Sequence, residues 1–212
     1  MSVLLLTGFE PWHEFGANSS WEVASLFDRR QVAGFTIATR RLPVSYARLP
    51  DALARCLDEV QPDVCIGLGM EPRGTMLRLE RVAVNLADAA DYPDNDGAAP
   101  RDGALVPGGP AAYLTRLPLR EIGLALERAQ LPARRSLSAG AFLCNACFYR
   151  TLHAAAEDRP EMVGGFVHVP PIADTIPGMD GWPIERLQRA IAVVIETTVK
   201  EIGNIHLRDV EG

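Results

Sequence analysis

Three short apolar runs, at residues 3–7, 64–68 and 165–169, constrain the fold of this chain most, because each is continuous rather than alternating. Strands that are apolar on both faces are typical of the interior of a parallel sheet that helices cover on both sides. Segments with helical spacing lie between these runs. The sequence therefore predicts an α/β fold: a single domain with a mostly parallel, twisted central sheet and helices on both faces.

The remaining elements follow from the spacing of apolar residues and from capping signals. Ser19, with Glu22 three residues later, resembles a capping box and predicts a helix from about residue 20 to 27. Pro183 at a first-turn position predicts a long last helix. Further helices are predicted at 49–60, 119–129 and 142–156, and further extended segments at 35–39, 76–79, 81–85 and 133–137.

Residues 86–110 are rich in Asp, Gly, Ala and Pro and show no clear period. A loop of that length in a compact domain usually covers a site or a partner surface. In open α/β sheets, function lies at the carboxyl ends of the strands. We expect the aromatic loop after the first strand, the turn before Cys144 and the end of the strand that carries His168 to meet there.

Length and composition narrow the class of protein. The 212 residues suffice for one buried core, and no linker divides them, so one domain is predicted over 1–212, with a loosely ordered tail after about residue 203. The net charge of −6 argues against a nucleic-acid or anionic-membrane surface. The first apolar run is too short for a signal peptide, and no stretch reaches the length of a membrane span, so a cytoplasmic location is expected.

Cys144 follows a turn at residues 138–140 and begins a helical pattern. A thiol at a helix N-terminus lies at the positive end of the macrodipole, which favours the thiolate. Three alternatives stay open at this point. The thiol could simply pack in the core, or form a redox C-x-x-C pair with Cys147, or bind a metal, although no second pair supplies the four ligands that zinc needs.

His168 is the one histidine of the four that lies in an apolar strand, at the carboxyl end before two prolines. A core histidine satisfied by backbone hydrogen bonds is the alternative. Together, a cysteine at a helix start and an imidazole make a nucleophile and its general base. The chain is therefore interpreted as a soluble cysteine hydrolase.

A third group would hold the imidazole in the correct tautomer. Glu80 is the candidate, although its flanking arginines could equally make it part of a surface ion pair. Spacing alone does not choose it over Asp88, Asp91 or Asp94.

Six blocks around these residues, in order from residue 3 to about residue 200, closely resemble pyroglutamyl peptidase type I, also called pyrrolidone-carboxylate peptidase, a family of cysteine peptidases. The blocks are Thr7-Gly8-Phe9-Glu10-Pro11, the run 80–89 beginning Glu80-Arg81-Val82, Pro93-Asp94-Asn95, Gly108-Gly109-Pro110-Ala111-Ala112-Tyr113, residues 138–145, and Gly165-Phe166-Val167-His168-Val169-Pro170. Six ordered blocks are far more specific than a lone C-x-x-C.

The resemblance implies that Cys144 is the nucleophile, His168 its base and Glu80 the group that orients the imidazole. It also implies removal of an N-terminal 5-oxoproline residue from peptides, no metal or organic cofactor, and a homotetramer. Cys147 has no catalytic counterpart in the motif and should be dispensable.

A pyroglutamyl residue is a neutral lactam, so its site needs an apolar slot with partners for the ring N–H and C=O. By resemblance, Phe9 and Trp12 match the family's aromatic wall. Phe142 and Leu143 match residues that line the pocket next to the cysteine, and Met70 aligns with a position that contacts the lactam. The alternative is that these side chains are simply core.

The chain departs from the family pattern at three places, of which Asn18-Ser19, in place of the usual Asn-Pro, is a minor change because Ser19 is expected to cap a helix. Residues 87–95 are one residue longer than the usual block and lack its arginine, which lies close to the family's active site. Trp12 replaces a phenylalanine, and His13-Glu14 replaces Gly-Gly. The runner-up hypothesis is therefore a catalytically weakened relative that binds lactam-ended peptides. A C-x-x-C thiol oxidoreductase is the third hypothesis.

Overall fold

The computed structural model describes residues 2–89, 92–175, 178 and 180–210, with side chains described to residue 203. Within these residues the chain forms nine strands and five helices. The strands are β1 (Ser2–Phe9), β2 (Gln31–Val32), β3 (Phe35–Leu42), β4 (Val64–Met70), β5 (Leu77–Glu80), β6 (Val82–Val84), β7 (Ala112–Leu114), β8 (Ala133–Ser136) and β9 (Val163–Val169). The helices are α1 (Ser19–Ser25), α2 (Leu49–Val60), α3 (Leu119–Arg128), α4 (Leu143–Glu157) and α5 (Ile184–Val210).

Seven strands form the central sheet in the order β2-β3-β1-β4-β9-β5-β8, and β6 pairs with β7 in a separate ribbon. Strands β3, β1, β4 and β9 are parallel to one another. Strand β5 runs antiparallel to β9, and β2 runs antiparallel to β3. The predicted α/β fold with a mostly parallel central sheet is confirmed. The sequence analysis missed β2 and β7, because two or three residues are too few to show a period.

Two hydrophobic cores lie on opposite faces of the sheet, as alternation along a strand requires. Leu4 and Leu6 of β1 pack into the core formed with α1, α3 and α5, whereas Leu5 packs into the core formed with α2 and α4. The predicted placement of helices on both faces is therefore confirmed. Below, the two sides of the sheet are named the α5 face and the α4 face.

The start of α1 differs from the prediction. Asn18, not Ser19, is the N-cap residue, and its side-chain oxygen accepts a hydrogen bond from the Ser20 N–H at 3.2 Å. Ser19 is the first helical residue, so the capping-box interpretation was wrong. An asparagine oxygen reaches the second helical N–H as readily as a serine oxygen does, so adjacent capping residues leave the boundary ambiguous by one position.

The predicted long loop holds no helix or strand element in its described residues, and Ala90 and Asp91 lie outside them. Asp94 is buried and accepts hydrogen bonds from the backbone N–H groups of Tyr46, Asp96 and Ala98 at 2.7 to 2.9 Å. The loop is thus fixed to the segment after β3, at the carboxyl end of the parallel strands.

None of the helices in the described part of the chain is long and apolar enough to cross a membrane. The extent of the single domain over 1–212 and the loose order of its tail after about residue 203 stay predictions.

Gly67 and Gly69 make room on the α4 face of β4. A Cβ at Gly67 would lie 2.6 Å from the ring of Phe166, and a Cβ at Gly69 would lie 2.7 Å from the sulfur of Cys144. Both contacts are shorter than van der Waals distance. The two glycines therefore allow a phenyl ring and a thiol to lie directly against the sheet.

We expect Gly67→Ala to destabilise the fold by about 1–3 kcal/mol, because the added methyl group overpacks a fully buried ring. Gly123→Ala is the matched control: it lies within α3, where a Cβ would meet nothing within 4 Å, and should stabilise by about 0.5–1 kcal/mol. Urea unfolding of both variants measures the difference. A Gly67→Ala protein as stable as wild type would contradict this account of β4.

Candidate active site

Strand alternation places two of the three predicted catalytic residues on the same face of the sheet. In β9, Val167 and Val169 pack into the core on the α5 face, so His168 faces α4. In β5, Leu79 packs on the α5 face, so Glu80 also turns toward α4. Because β5 and β9 are hydrogen-bonded neighbours, the two polar side chains come together although 88 residues separate them.

The Glu80 carboxylate and the His168 imidazole form a buried hydrogen bond of 2.8 Å between Oε1 and Nδ1. Glu80 is fully buried and His168 is 4% exposed. A carboxylate only accepts, so Nδ1 carries the proton and donates it to this bond. The other ring nitrogen, Nε2, remains for Cys144, which lines the same cavity as His168 and acts electrostatically on the imidazole. The structure thus brings Glu80, His168 and Cys144 into one contiguous contact.

Arg78, which the sequence analysis did not assign to the site, balances the buried charge of Glu80. Its Nε lies 3.2 Å from the same Oε1, while Nη1 lies 2.8 Å from Glu71 Oε2. Its Nη2 donates to the carbonyl of Ser138, in the turn before α4, at 2.6 Å. Glu80 therefore also forms an ion pair with a flanking arginine, as the alternative interpretation expected. The pair is buried beside the imidazole rather than on the surface.

The other acidic candidates lie in different surroundings. The Asp94 carboxylate is occupied by three backbone N–H groups of the loop and of the segment after β3. The Asp88 backbone N–H donates to Ala141 O, and Asp91 lies outside the described residues. Among the described candidates, Glu80 is the one whose carboxylate bonds to His168.

The surroundings of His168 act on its pKa in opposite directions. Burial, the largest single effect, lowers it by penalising the imidazolium. The negative charge of a Cys144 thiolate, the hydrogen bond to that sulfur and the Glu80 carboxylate together outweigh burial and raise the pKa from 6.5 to about 9. The site therefore favours a protonated imidazole at neutral pH.

Cys147 lies on α4 three residues after Cys144, in different surroundings. It is fully buried, and burial raises the pKa of its thiol well above the usual value. Such a thiol stays protonated and unreactive. The C-x-x-C motif thus contains one cysteine at the site and one in the core. The buried Cys147 thiol is poorly suited to act as the second, resolving thiol of a redox pair.

Asn145, next to the nucleophile candidate, fixes the start of α4. Its fully buried amide accepts from the Val84 N–H at 3.0 Å and donates to the carbonyls of Val84 and Leu86 at 2.9 and 3.0 Å. These bonds hold the first turn against β6. Nothing in the local pattern separated Asn145 from an ordinary helical residue, because its partners lie about 60 residues away in sequence.

A small cavity of about 160 Å³ opens beside Cys144 and His168. The five residues predicted to bind substrate, Phe9, Trp12, Met70, Phe142 and Leu143, all line it. The sequence analysis had not placed four further lining residues there: Asn18, Val44, Pro72 and Ala139. The wall is mainly apolar, so the cavity suits a small uncharged ring better than a charged group.

Aromatic contacts hold the wall of this cavity in place. The rings of Trp12 and Phe142 lie 5.0 Å apart between centroids, and Tyr46 packs edge-on against Phe142 at 5.8 Å. The Trp12 Nε1–H donates to the carbonyl of Pro93 in the long loop at 3.0 Å. The loop after β1, the start of α4 and the 86–110 loop therefore form the cavity together.

Within the described residues, no group of three or more histidine, cysteine or acidic side chains is placed to hold a metal ion. The arrangement brings a thiol, an imidazole and a buried carboxylate together next to an apolar cavity. This is the constellation of a cysteine nucleophile with its acid–base partner.

Comparison with known proteins identifies the family of this chain. A pyrrolidone-carboxylate peptidase of Ralstonia nicotianae is 38% identical over 97% of this chain and 96% of its own length, and one of Clavibacter michiganensis is 39% identical over 97% and 96%. The solved structure of pyrrolidone carboxyl peptidase from Thermococcus litoralis superimposes with a TM-score of 0.92 at 33% identity, covering 96% of both chains. Residues 1–201 match the family described as pyroglutamyl peptidase, and this chain belongs to that family.

Proposed function

We propose that this protein hydrolyses the amide bond after an N-terminal pyroglutamyl residue of peptides, with Cys144 as nucleophile, His168 as acid and base, and Glu80 as the group that orients the imidazole. The observation that carries the proposal is the contact of these three side chains beside a small apolar cavity. Family membership supports the same activity.

The cavity would hold the lactam ring. Phe9, Trp12, Phe142 and Leu143 supply apolar surface, which a neutral ring without an ammonium group can cover at little desolvation cost. Met70 ends β4 at the cavity and offers backbone groups for the ring N–H and C=O. A peptide with a free, charged N-terminus would have to bury its ammonium group there, so the cavity selects cyclised ends.

The reaction begins when the Cys144 thiolate attacks the carbonyl between pyroglutamate and the next residue. The first helical hydrogen bond of α4 runs from the Ala146 N–H to the Phe142 carbonyl. The N–H groups of the three residues before Ala146 have no acceptor within the helix, so they are available to a carbonyl oxygen on which negative charge develops. These donors and the helix dipole would stabilise the oxyanion.

His168 then completes the proton transfers. As the tetrahedral intermediate collapses, the imidazolium donates its Nε2 proton to the leaving amine, and a thioester to Cys144 remains. The neutral imidazole next removes a proton from water, which attacks the thioester and releases pyroglutamate. Throughout, Glu80 keeps the proton on Nδ1 and stabilises the imidazolium.

The structure offers less support to the other two hypotheses. The intact contact of Cys144, His168 and Glu80 argues against a catalytically weakened relative, although Ala90 and Asp91, in the lengthened block, lie outside the described residues. The deep burial of Cys147 argues against a thiol oxidoreductase. A homotetramer and a cytoplasmic location remain parts of the proposal, supported by family resemblance and by composition.

The decisive measurement is hydrolysis of a pyroglutamyl naphthylamide by wild type, Cys144→Ser and Cys147→Ser. We expect Cys144→Ser to lower kcat/KM by several orders of magnitude, because a serine hydroxyl beside an imidazolium is a poor nucleophile. Cys147→Ser should retain kcat/KM for the same substrate, since the Cys147 thiol takes no part in the chemistry. Loss of hydrolysis through Cys147→Ser alone, in a protein that remains folded by circular dichroism, would overturn the assignment.

A second prediction concerns the alkaline limb of the pH profile. Donation to the leaving amine needs a protonated His168, so kcat/KM should be high below its pKa of about 9 and fall above it. The Glu80 carboxylate contributes to raising this pKa, so Glu80→Gln should move the limb to lower pH and lower kcat/KM by about 100-fold or more.

Glu71→Gln is the matched control, because Glu71 also binds Arg78 and its carboxylate makes no contact with His168 among the described hydrogen bonds and ion pairs. Its alkaline limb should coincide with that of wild type. Identical limbs in wild type and Glu80→Gln would show that Glu80 does not act on the imidazole.

A further inference from the structure

A second cavity adjoins the one beside Cys144, and none of the steps of hydrolysis described above involves it. It measures about 430 Å³ and shares Trp12 and Pro72 with the cavity beside Cys144. The remaining lining residues are His13, Glu14 and Phe15 from the loop after β1, Glu71 and Arg73 from the segment after β4, and Tyr92 from the long loop. A substrate held at Cys144 could therefore extend directly into it.

One wall of this cavity lies close to the end of the strand that carries His168. Strand β4 pairs with β9 so that Gly69 lies opposite His168, and the Glu71 N–H then donates to the Val169 carbonyl at 2.9 Å. The segment 71–73 that lines the cavity thus begins next to the end of the strand carrying His168. Because His168 protonates the leaving amine, the residue that bears this amine has to lie on the same side.

The walls of the cavity are rich in aromatic rings that are only partly buried or are exposed. Trp12 contacts Phe15 and Tyr92, each with 6.1 Å between ring centroids and with the rings steeply inclined. Tyr92 is 60% exposed, so much of its ring is accessible to a ligand in this cavity. Inclined rings around an open space leave faces and edges available for a further ring.

The backbone of the loop contributes to the shape of the cavity. His13 has a φ of 57°, in the left-handed region, which costs a residue with a Cβ about 1–2 kcal/mol. Its conformation places the imidazole 5.7 Å from the Trp12 ring, where it extends the aromatic wall.

The charges in this cavity do not favour a charged occupant. Glu71 forms an ion pair with Arg78 at 2.8 Å, and the other two charged lining residues, Glu14 and Arg73, have opposite signs. An acidic or a basic side chain would therefore gain little, whereas an apolar ring would bury surface against Trp12, Phe15 and Tyr92.

We propose that this second cavity binds the side chain of the residue that follows pyroglutamate, and that it favours aromatic side chains there. The proposal rests on the proposed function, since it assumes that the bond broken is the one attacked by Cys144. It assigns Tyr92 and Phe15 as residues that determine specificity for the leaving residue.

The test compares hydrolysis of pyroglutamyl-phenylalanine amide and pyroglutamyl-alanine amide, with the released amino-acid amides measured by chromatography. We expect wild type to prefer the phenylalanine substrate by about tenfold in kcat/KM, in line with partial burial of one ring. Tyr92→Ala should lower this preference about threefold or more and leave kcat/KM for the alanine substrate within a factor of about two of wild type. Tyr92→Phe should retain the preference.

Leu114→Ala is the matched control, because Leu114 is similarly exposed, at 57%, and does not line either cavity. It should leave both substrates unchanged. Equal kcat/KM for the two substrates in wild type, or a Tyr92→Ala variant that slows both to the same extent, would overturn the proposal.

A binding measurement separates this proposal from the catalytic one. Titration calorimetry with Cys144→Ala should show tighter binding of the phenylalanine amide than of the alanine amide, and Tyr92→Ala in that background should reduce the difference. If wild type cleaves neither substrate while this binding preference persists, the catalytic proposal fails and the second cavity stands. If the two amides bind equally tightly, the proposal that the second cavity favours aromatic side chains is wrong, whether or not cleavage occurs.

Discussion

The buried hydrogen bond between Glu80 and His168 is the interaction on which the rest of the site depends. A carboxylate with no exposed surface is costly unless positive charge and hydrogen bonds accompany it. Here the His168 imidazole, which its raised pKa keeps protonated at neutral pH, and the Arg78 guanidinium supply that positive charge. Removing one member of such a pair typically costs about 3–5 kcal/mol, because the other is left buried and uncompensated. The same contact thus supports both the local fold and the protonation state that the chemistry needs.

Strand register makes this contact possible. Along the antiparallel pair β5–β9, Arg78 lies opposite His168 and Glu80 lies opposite Phe166. A slip of one residue would turn both charged side chains of β5 toward the apolar α5 face, where Leu79 now packs. The hydrophobic pattern of β5 therefore fixes the position of the acid, and the backbone ladder, rather than a loop, sets its distance from the imidazole. Rigid elements hold catalytic geometry more closely than loops do.

Much of this arrangement was predictable from sequence, and the exceptions have a common cause. The interior strands, the helix that starts at the nucleophile, and the pairing of Cys144 with His168 follow from local periodicity and from topology. Glu80 could not be chosen over Asp88, Asp91 or Asp94 on spacing alone, because the choice depends on β5 pairing with β9. Only the family resemblance pointed to it.

Side chains whose partners lie far away in the chain escaped local reasoning in the same way. Asn145 bonds to β6 and Leu86, and Arg78 bonds to Glu71 and to the turn before α4. A side chain at Gly69 would collide with the sulfur of Cys144, and the residues next to Gly69 in sequence give no indication of this contact. At the N-terminus of α1 the difficulty was instead local, since Asn18 and Ser19 are both good caps. The features that could not be predicted are therefore long-range contacts. Residues at the start of α4 make different contacts of this kind: Cys144 faces the cavity, Asn145 binds the β6 backbone, and Cys147 packs in the core. Any rotation of α4 that moved the thiol out of the cavity would break the Asn145 hydrogen bonds and expose apolar surface together. The C-x-x-C spacing therefore places one thiol at the cavity and the next, about one helical turn further along α4, in the core.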